Sequence, residues 1–387
     1  MRNDSLKYSL KKELHKLEEE NNRRTLSMPS SIDENNCPDG KELYNLSSND
    51  YLGIAADKAL HREFLSLISP DAIPRFSSSS SRLLTGNHQA YSETEEVLRH
   101  LFGSESALIF NSGYHMNLGI LPAISTSKTL ILADKLVHAS LIDGIRLSKG
   151  KHIRYRHNDY EQLESLVKKH STAFEKIIIV TESIFSMDGD LADLPRLVGI
   201  KQQYHNIYLY VDEAHAVGVR GQNGLGCAEE QNCISEIDFL TGTFGKALAS
   251  VGGYLICRAF IREYLINTMR PLIYTTALPP INLMWSKFVL DRLTLFKNKR
   301  NQLNQNRLFL KKILIEKGYT CSSESHIFPI IIGDSQSAVE KSEQLQKNGF
   351  YVLPIRPPTV PVGMARLRIS LTADLTPENI HQIVQIV

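Results

Sequence analysis

The sequence predicts an α/β protein, a three-layer sandwich around a mainly parallel seven-stranded sheet, followed by a small α+β domain. Three observations predict this class. Short β-branched and aromatic runs alternate with helical patterns over most of the chain. The length of 387 residues is enough for one large domain and a smaller one. A hydrophobic content of 42% is that of an ordinary globular protein.

Seven apolar runs are predicted to form the large sheet, with helical patterns in most of the gaps between them. The last gap, residues 242–251, is shorter than the dozen or so residues that a parallel crossover requires. The seventh strand is therefore predicted to run antiparallel to its partner. The predicted strands are residues 107–110, 129–133, 153–155, 177–181, 207–211, 237–241 and 252–257.

The predicted domain limits follow from changes in pattern along the chain. Residues 6–22 place four leucines at helical spacing among charged side chains, which indicates an amphipathic docking helix, and residues 28–40 are typical of a linker. We therefore predict a helix and linker over residues 1–42, a large domain over 43–280, and a long helix with a small domain over 281–387. The long helix is expected to end near residue 318. The small domain is predicted to contain strands at 327–332, 351–353 and 366–371, and helices at 336–348 and from 377.

Charge and cysteine usage exclude several classes of protein. A formal net charge of +2 with dispersed Lys and Arg gives no nucleic-acid footprint. The charged N-terminus has no secretory pattern, and no apolar run approaches membrane-spanning length, so we expect a cytoplasmic protein without a membrane partner. No C-x-x-C pair occurs, which argues against a disulfide framework and a zinc site, and no metal is predicted. The cysteines are Cys37, Cys227, Cys233, Cys257 and Cys321.

Lys246 lies among small residues between the last two predicted strands of the large sheet. A lysine rarely sits among core strands without a task, because desolvating an ammonium is unfavourable. Lys246 is therefore a candidate Schiff-base nucleophile, with an ordinary surface lysine as the alternative. A phosphate-loop interpretation fails, because that motif requires glycine where Leu240 stands and Ser or Thr where Ala247 stands.

Other polar residues follow predicted strands at the edge where α/β sheets build their sites. Asp212 ends the fifth strand, where a buried carboxylate pairs well with a protonated pyridine nitrogen. Ser112 and Gly113 open a helical pattern whose free N–H groups suit a phosphate monoester. His138, after the second strand, is suited either to stacking on a cofactor ring or to satisfying a turn. The hydroxyls of Ser186 and Thr243 are further candidates, each also explained as a local cap.

Taken together, these motifs resemble the α-oxoamine synthases, pyridoxal-phosphate enzymes with the type I fold of aspartate aminotransferase. The resemblance extends from about Asn45 to the C-terminus with similar spacing throughout. It implies pyridoxal 5'-phosphate as the cofactor and a homodimer as the assembly. The matching motifs are Ser47-Ser-Asn-Asp-Tyr-Leu-Gly53, His138-Ala-Ser-Leu141, Phe185-Ser-Met-Asp-Gly-Asp190, Asp212-Glu-Ala-His215, Thr243-Phe-Gly-Lys246, Arg356-Pro-Pro-Thr-Val-Pro361 and Ala365-Arg-Leu-Arg368.

The resemblance implies a role for each matching residue. Lys246 matches the lysine that holds the cofactor covalently, Asp212 the pyridinium partner, and His138 the ring-stacking histidine that also contacts substrate. Arg368 matches the arginine that binds the amino-acid carboxylate. The other implied cofactor contacts are Gly113, Tyr114, Ser186, His215, Thr243 and, from the neighbouring subunit, Thr276 or Thr275. The other implied substrate contacts are Asn49, Thr359 and Arg23, with Arg24 as a close competitor.

The implied activity is that of the family member in biotin biosynthesis, to which the motif from Arg356 to Pro361 is most similar. That enzyme condenses L-alanine with a pimeloyl thioester, carried on coenzyme A or on a carrier protein, with loss of carbon dioxide. Glycine C-acetyltransferase, 5-aminolevulinate synthase and serine palmitoyltransferase are the alternatives within the family. An inactive structural homologue and a nucleotide-dependent ligase are alternatives outside it. Two departures from the family pattern are the serines at 77–81 and His115.

Overall fold

The computed structural model describes residues 5–26 and 44–387, which form two compact units. The large unit comprises Asn49–Ser186 and Asp190–Asn304, and the small unit comprises the described residues up to Ser48, Met187–Gly189 and Gln305–Val387. The predicted linker at residues 28–40, including Cys37, lies outside the described residues. Compared with the predicted domain ranges, residues 281–304 group with the large unit, and the N-terminal residues group with the small unit.

The strands of the described residues are numbered here in chain order. Each predicted strand of the large sheet is present, and its bounds agree with the prediction to within two residues. The strands are β1 (Tyr44–Asn45), β2 (Ser106–Phe110), β3 (Thr129–Asp134), β4 (Lys151–Tyr155), β5 (Lys176–Glu182), β6 (Ile207–Asp212), β7 (Phe239–Thr243), β8 (Gly253–Cys257), β9 (Ile327–Gly333), β10 (Phe350–Tyr351), β11 (Pro354–Ile355) and β12 (Ala365–Ser370).

The α-helices of the described residues are numbered in the same way. They are α1 (Ser5–Glu19), α2 (Lys58–Ser66), α3 (Gln89–Phe102), α4 (Gly113–Ile124), α5 (Ala139–Leu147), α6 (Tyr160–His170), α7 (Leu194–Gln202), α8 (Cys227–Glu230), α9 (Ala259–Thr268), α10 (Arg270–Ile273), α11 (Pro280–Asp291), α12 (Lys297–Glu316), α13 (Ser335–Lys347) and α14 (Pro377–Ile386). None of these helices is long and apolar enough to cross a membrane.

The large unit is built on a seven-stranded sheet in the order β2-β8-β7-β6-β5-β3-β4. β8 pairs antiparallel with both β7 and β2, and the other pairs are parallel, which confirms the antiparallel seventh strand. Every residue of β3 is buried, whereas β4 at the edge is largely exposed. Strands covered on both faces by helices read as continuous apolar runs, which is why the sequence located them well.

The predicted long helix after the two prolines is wrong in one respect, because it is two helices, α11 and α12. A 3₁₀ turn, Leu293–Phe296, separates them, and both of its terminal side chains are buried. Arg300 donates from Nη1 to the carbonyl of Leu293 at 2.6 Å, a carbonyl that a continuous helix would use internally. Burial of this apolar pair and the arginine contact together explain the break.

The small unit contains an antiparallel sheet in the order β11-β12-β9, with α13 and α14, and a short parallel pair of β1 with β10. The strand predicted at residues 351–353 is instead the two short strands β10 and β11. The amphipathic α1 has no buried residue, and its leucines at 6, 10 and 14 are 47–71% exposed. Its predicted docking is therefore not seen within the described residues.

The two helices α4 and α5 lie in close contact beside the sheet. Gly144 of α5 makes this approach possible, because a Cβ atom there would lie 2.3 Å from the backbone oxygen of Asn117 in α4. This close packing brings polar side chains of the two helices together under the carboxyl ends of the strands. Those side chains belong to the site described next.

Candidate active site

The carboxyl ends of neighbouring parallel strands bring several polar residues to one edge of the large sheet. Glu182 ends β5 and is in register with Asp212, which ends β6, and Asp212 is in register with Thr241 of β7. His138 follows β3 and caps α5, and Thr243 ends β7. The sheet topology therefore collects here the residues that the sequence predicted for the cofactor.

Lys246 lies in the turn between β7 and β8 and is half-buried. Its Nζ is 2.8 Å from Nε2 of His215, whose Nδ1 is 2.6 Å from the hydroxyl of Tyr51. Tyr51 in turn donates to Oδ1 of Asn49 at 2.9 Å. The structure thus joins three predicted site residues, Lys246, His215 and Asn49, through Tyr51, whose role the sequence did not indicate.

Asp212 is a buried carboxylate held by two neutral donors. Oδ2 accepts from Nδ2 of Asn117 at 2.7 Å, and Oδ1 accepts from the backbone N–H of Ala214 at 2.9 Å. Neutral donors orient a carboxylate without cancelling its charge, so the charge remains available to a cation. This is the environment required of a partner for a protonated ring nitrogen.

His138 lies within the electrostatic influence of both Asp212 and Lys246. Burial lowers the pKa of its imidazole, while the charge of Asp212 raises that pKa and the charge of Lys246 lowers it. The backbone N–H of His138 donates to the carboxyl group of Glu182. The pKa of this imidazole therefore depends on both Asp212 and Lys246, the carboxylate and the amine that the sequence assigned to one cofactor ring.

Glu182 is a buried acid at the candidate site that the sequence analysis did not predict. Its side chain is fully buried, and burial, with the charge of Asp212 as the next cause, raises its pKa to about 8, against a lowering by Lys246. A raised pKa at a strand end is a common mark of a functional site. The sequence pattern that could have indicated Glu182 is an acidic residue at the end of an apolar run, the same pattern that indicated Asp212.

The start of α4 forms a cradle suited to a phosphate group. Ser112 caps the helix by accepting the backbone N–H of His115 at 3.1 Å. A Cβ on Gly253 would lie 2.8 Å from the nitrogen of Gly113, and one on Gly113 would lie 3.6 Å from Cβ of Thr243. The start of α4 is therefore packed closely against Thr243 of β7 and Gly253 of β8. The backbone N–H groups of a helix's first turn have no intrahelical partner and suit an anion.

The side chains near this cradle take different positions. Tyr114 is exposed and its hydroxyl donates to Asp143, so only its backbone N–H can serve the cradle. Thr243 donates from Oγ1 to Gly252 and accepts from the backbone of residue 245. Ser186 is buried in the segment after β5.

These groups fit pyridoxal phosphate, because each functional part of that molecule finds a chemical counterpart in the large unit. Lys246 provides an amine that can react with the aldehyde. Asp212 provides a buried carboxylate for the ring nitrogen, and the start of α4 at Gly113 provides backbone N–H groups for the phosphate. His138 supplies an aromatic face.

Thr276, predicted to reach a neighbouring subunit, is exposed in the single chain, whereas Thr275 is half-buried. The backbone oxygen of Thr276 accepts from Nδ2 of Asn111 at 2.5 Å. That hydrogen bond fixes the main chain and leaves the side chain outside. The exposure of Thr276 favours it over Thr275 as the residue available to a second copy.

In the small unit, Arg23 and Arg24, the two candidates for the N-terminal substrate arginine, make different contacts. Nη2 of Arg24 donates to Oγ1 of Thr359 at 2.8 Å. Arg23 instead pairs with Glu18 at 3.0 Å on the surface. The predicted substrate residue Thr359 is therefore joined to Arg24 and not to Arg23. Arg368, also predicted, is buried and donates to Ser370 at 2.7 Å.

His157 is a half-buried histidine near the site that the sequence did not indicate. It bridges Asp134, at the end of β3, and Asp190, with distances of 2.9 Å and 2.6 Å to the two carboxylates. Asp190 also pairs through its backbone oxygen with Phe185, next to Ser186. Burial opposes the charged imidazolium, but the hydrogen bonds and charges of the two carboxylates prevail and raise its pKa to about 10.

Comparison with known proteins identifies the class to which this fold and site belong. The profile of the family "Aminotransferase class I and II" matches residues 41–387. The chain belongs to the class I and II aminotransferase family. The predicted type I fold is confirmed, and pyridoxal phosphate, the cofactor of that family, is confirmed with it.

Several curated relatives carry 8-amino-7-oxononanoate synthase as a provisional name. One from Neisseria meningitidis serogroup A is 55% identical over 91% of both chains. One from Glaesserella parasuis is 58% identical over 87% of this chain and 89% of the relative. One from Haemophilus influenzae is 51% identical over 97% of this chain and 98% of the relative.

Solved structures agree with this assignment at the level of the family. A serine palmitoyltransferase from S. paucimobilis with a bound PLP-myriocin aldimine has a TM-score of 0.85 at 28% identity, and covers 100% of this chain and 97% of that one. The 8-amino-7-oxononanoate synthase of Francisella tularensis has a TM-score of 0.76 at 29% identity, with 89% and 96% covered.

The His157→Gln variant should be less stable by about 3 kcal/mol near pH 6.5, because it leaves two carboxylates without their cation. The pKa of the folded-state imidazole is raised from its ordinary 6.5 to about 10. Its contribution is therefore complete below about pH 6.5 and is lost as the pH rises through about 10. Denaturant unfolding followed by circular dichroism at several pH values measures the difference between variant and parent.

The control is His152→Gln, because His152 is exposed on β4, and it should change stability by less than about 0.5 kcal/mol. A loss of stability in His157→Gln that is the same at pH 6.5 and pH 10.5 would contradict the charged bridge.

Proposed function

We propose that this protein condenses L-alanine with a pimeloyl thioester, releasing carbon dioxide and a thiol, to give 8-amino-7-oxononanoate for biotin biosynthesis. The observation that carries the proposal is the grouping of Lys246, Asp212 and His138 at one edge of the sheet in a class I and II aminotransferase. The names of relatives 51–58% identical to the chain support this reaction over others in the family.

The residues that hold the cofactor are assigned from the site's chemistry. When bound, pyridoxal phosphate supplies an electron sink for the bonds at the amino-acid Cα atom. Lys246 would hold it covalently, Asp212 would be the partner of its protonated ring nitrogen, and His138 would supply an aromatic face to its ring. The N–H groups at the start of α4, with Thr243 and Ser186, bind its phosphate.

Lys246 is also assigned the proton transfers, since a freed lysine amine can take the proton from Cα of alanine and later return it. Such a base must be oriented before the proton moves. His215 contacts Nζ of Lys246 directly, the hydroxyl of Tyr51 contacts the other nitrogen of that imidazole, and Asn49 accepts from the same hydroxyl. These three residues therefore position the amine.

Substrate recognition is assigned to residues of the small unit. Arg368 binds the carboxylate of alanine, because a guanidinium matches a carboxylate with two parallel hydrogen bonds. Arg24, with Thr359, binds the distal carboxylate of the pimeloyl chain. A charged partner for that end would select a dicarboxylic acyl chain over a simple fatty acyl chain.

We further propose a homodimer in which Thr276 contributes to the cofactor phosphate of the partner. The exposed side chain of Thr276 on a segment anchored by Asn111 supports this assignment.

Serine palmitoyltransferase activity is the alternative that the structural neighbours favour, since they cover up to 100% of this chain. The two activities differ in both the amino acid and the acyl chain.

The decisive assay supplies the purified protein with pyridoxal phosphate and compares three substrate pairs. We expect alanine with pimeloyl-CoA to exceed glycine with acetyl-CoA and serine with palmitoyl-CoA by about 100-fold or more in kcat/KM. Mass spectrometry identifies 8-amino-7-oxononanoate, and trapped carbon dioxide confirms decarboxylation. A preference for either other pair would overturn the proposed substrates.

Lys246→Ala is the control for the assignment of the lysine. It should reduce turnover by about 10³-fold or more and should no longer retain cofactor mass after borohydride treatment. Borohydride-stable labelling of the variant at the parent level would refute the role of Lys246.

Arg24→Ala should raise the KM for pimeloyl-CoA by about tenfold, because it removes a charge-assisted hydrogen bond to the distal carboxylate. The KM for alanine should remain unchanged. The matched variant Arg23→Ala, whose side chain pairs with Glu18, should change neither constant by more than about twofold. Steady-state kinetics with both substrates varied measures these constants.

Heptanoyl-CoA, which lacks the distal carboxylate, gives the internal control for charge recognition. Its kinetics should be insensitive to Arg24→Ala. A larger effect of Arg23→Ala on pimeloyl-CoA, or equal effects of Arg24→Ala on both acyl donors, would contradict the assignment.

A further inference from the structure

Asn117 is the centre of a buried hydrogen-bond network that connects the two groups assigned to the cofactor ring. Its Nδ2 donates to Oδ2 of Asp212 at 2.7 Å and to Oγ of Ser140 at 2.9 Å. Its Oδ1 accepts from the hydroxyl of Tyr210 at 2.7 Å. Ser140 in turn lies 2.8 Å from Nδ1 of His138. All of these contacts lie within the large unit.

The carboxylate of Asp212 fixes the direction of every hydrogen bond in this network. A carboxylate only accepts, so Asn117 must present its NH₂ group to Asp212 and its oxygen to Tyr210. The same NH₂ group donates to Ser140, whose oxygen therefore accepts, and the serine hydroxyl is left to donate onward. Its remaining neighbour is Nδ1 of His138.

The backbone gives a second, independent reason for the same direction. The backbone N–H of Ser140 also points at Nδ1 of His138, at 3.2 Å. An N–H group cannot accept, so a proton on Nδ1 would face another proton. Nδ1 of His138 is therefore an acceptor toward both Ser140 groups, and the ring proton belongs on Nε2.

We infer that Asn117 and Ser140 are positioning residues that hold His138 as a neutral imidazole with its proton on Nε2. Protonating Nδ1 would require the Ser140 hydroxyl to turn away and would leave the Ser140 backbone N–H without its acceptor. The inference rests on the proposed function only in placing His138 beside the cofactor. The tautomer itself is a property of this chain.

A neutral imidazole is the form that suits the proposed reaction. A cationic His138 would repel a protonated cofactor ring and compete with it for the charge of Asp212. The Nε2–H tautomer instead offers one neutral donor to a substrate oxygen and leaves the charge of Asp212 to the ring nitrogen. The Asn117 side chain thus contacts the carboxylate of Asp212 directly and the imidazole of His138 through Ser140.

The charged and titratable groups around His138 come from several elements and oppose one another. Asp212 of β6 and Asp143 of α5 favour the imidazolium, whereas Lys246 disfavours it. Glu182 of β5 accepts from the backbone of His138, and burial raises its pKa to about 8, which favours its neutral form. Burial, the largest influence on the imidazole, also favours the neutral form.

The test is a two-bond ¹H–¹⁵N spectrum of the full chain, labelled on its 13 histidines and recorded without and with pyridoxal phosphate. The His138 signals are assigned by their loss in His138→Gln. We expect the bare-Nδ1, protonated-Nε2 pattern throughout pH 6–8. An imidazolium pattern or a protonated Nδ1 at pH 7 in the unvaried chain overturns the inference.

Ser140→Ala keeps the backbone N–H that faces Nδ1 and should therefore keep the Nε2–H tautomer, but it should raise the titration midpoint of His138 by about one pH unit, through loss of the hydroxyl hydrogen bond. Ser125→Ala is the matched control, since Ser125 is also buried and its hydroxyl has no hydrogen-bond partner among the described residues. It should leave the His138 pattern unchanged.

An unchanged titration midpoint of His138 in Ser140→Ala would overturn the positioning role. If that variant does not fold, Asn117→Leu tests the same relay, and an unchanged midpoint there overturns it equally. Because the spectrum of the chain without cofactor needs no substrate, failure of this inference is distinct from failure of the proposed reaction.

Discussion

The hydrogen bond between Asn117 and the carboxylate of Asp212 is the interaction on which the rest of the site depends. It joins the end of β6 to α4, and the same amide continues through Ser140 to α5 and His138. A buried carboxylate without partners is strongly unfavourable, so these contacts both stabilise Asp212 and determine its orientation. The close packing of α4 on α5 at Gly144 is what allows one side chain to reach both.

A second buried acid, Glu182, lies beside Asp212 at the centre of the candidate site. Glu182 and Asp212 end adjacent strands in register, and the charge of Asp212 is one cause of the raised pKa of Glu182. Burial and the charge of Asp212 therefore both favour the protonated form of Glu182. Asp212 is the carboxylate that we propose pairs with the cofactor's ring nitrogen, and Lys246 and His138 both lie within its electrostatic influence or that of its neighbours.

The parts that the sequence predicted well are those governed by local pattern. Buried parallel strands appear as apolar runs, and polar residues directly after them fall at one sheet edge, so the positions of Lys246, Asp212 and His138 at that edge could be predicted. Residues that act through long-range contacts could not. Asn117 lies within an apolar helical pattern, and its importance appears only when α4 packs beside β6 and α5. The break between α11 and α12 depends on a side chain seven residues further along the chain.

The choice between Arg23 and Arg24 shows the same limit of local pattern. Both arginines end the same N-terminal segment, and only the contact with Thr359, 335 residues away in sequence, separates them. Tyr51 is comparable, since its hydroxyl meets His215 across 164 residues of sequence. Motif spacing locates such residues in the chain, but their partners are determined by the folded units.

The most direct test of the central claim is a crystal structure of the full chain with pyridoxal phosphate. We predict continuous electron density between Nζ of Lys246 and the cofactor, with a carboxylate oxygen of Asp212 within hydrogen-bond distance of the ring nitrogen. A cofactor joined to a different residue, or a ring nitrogen that Asp212 does not contact, would contradict the account.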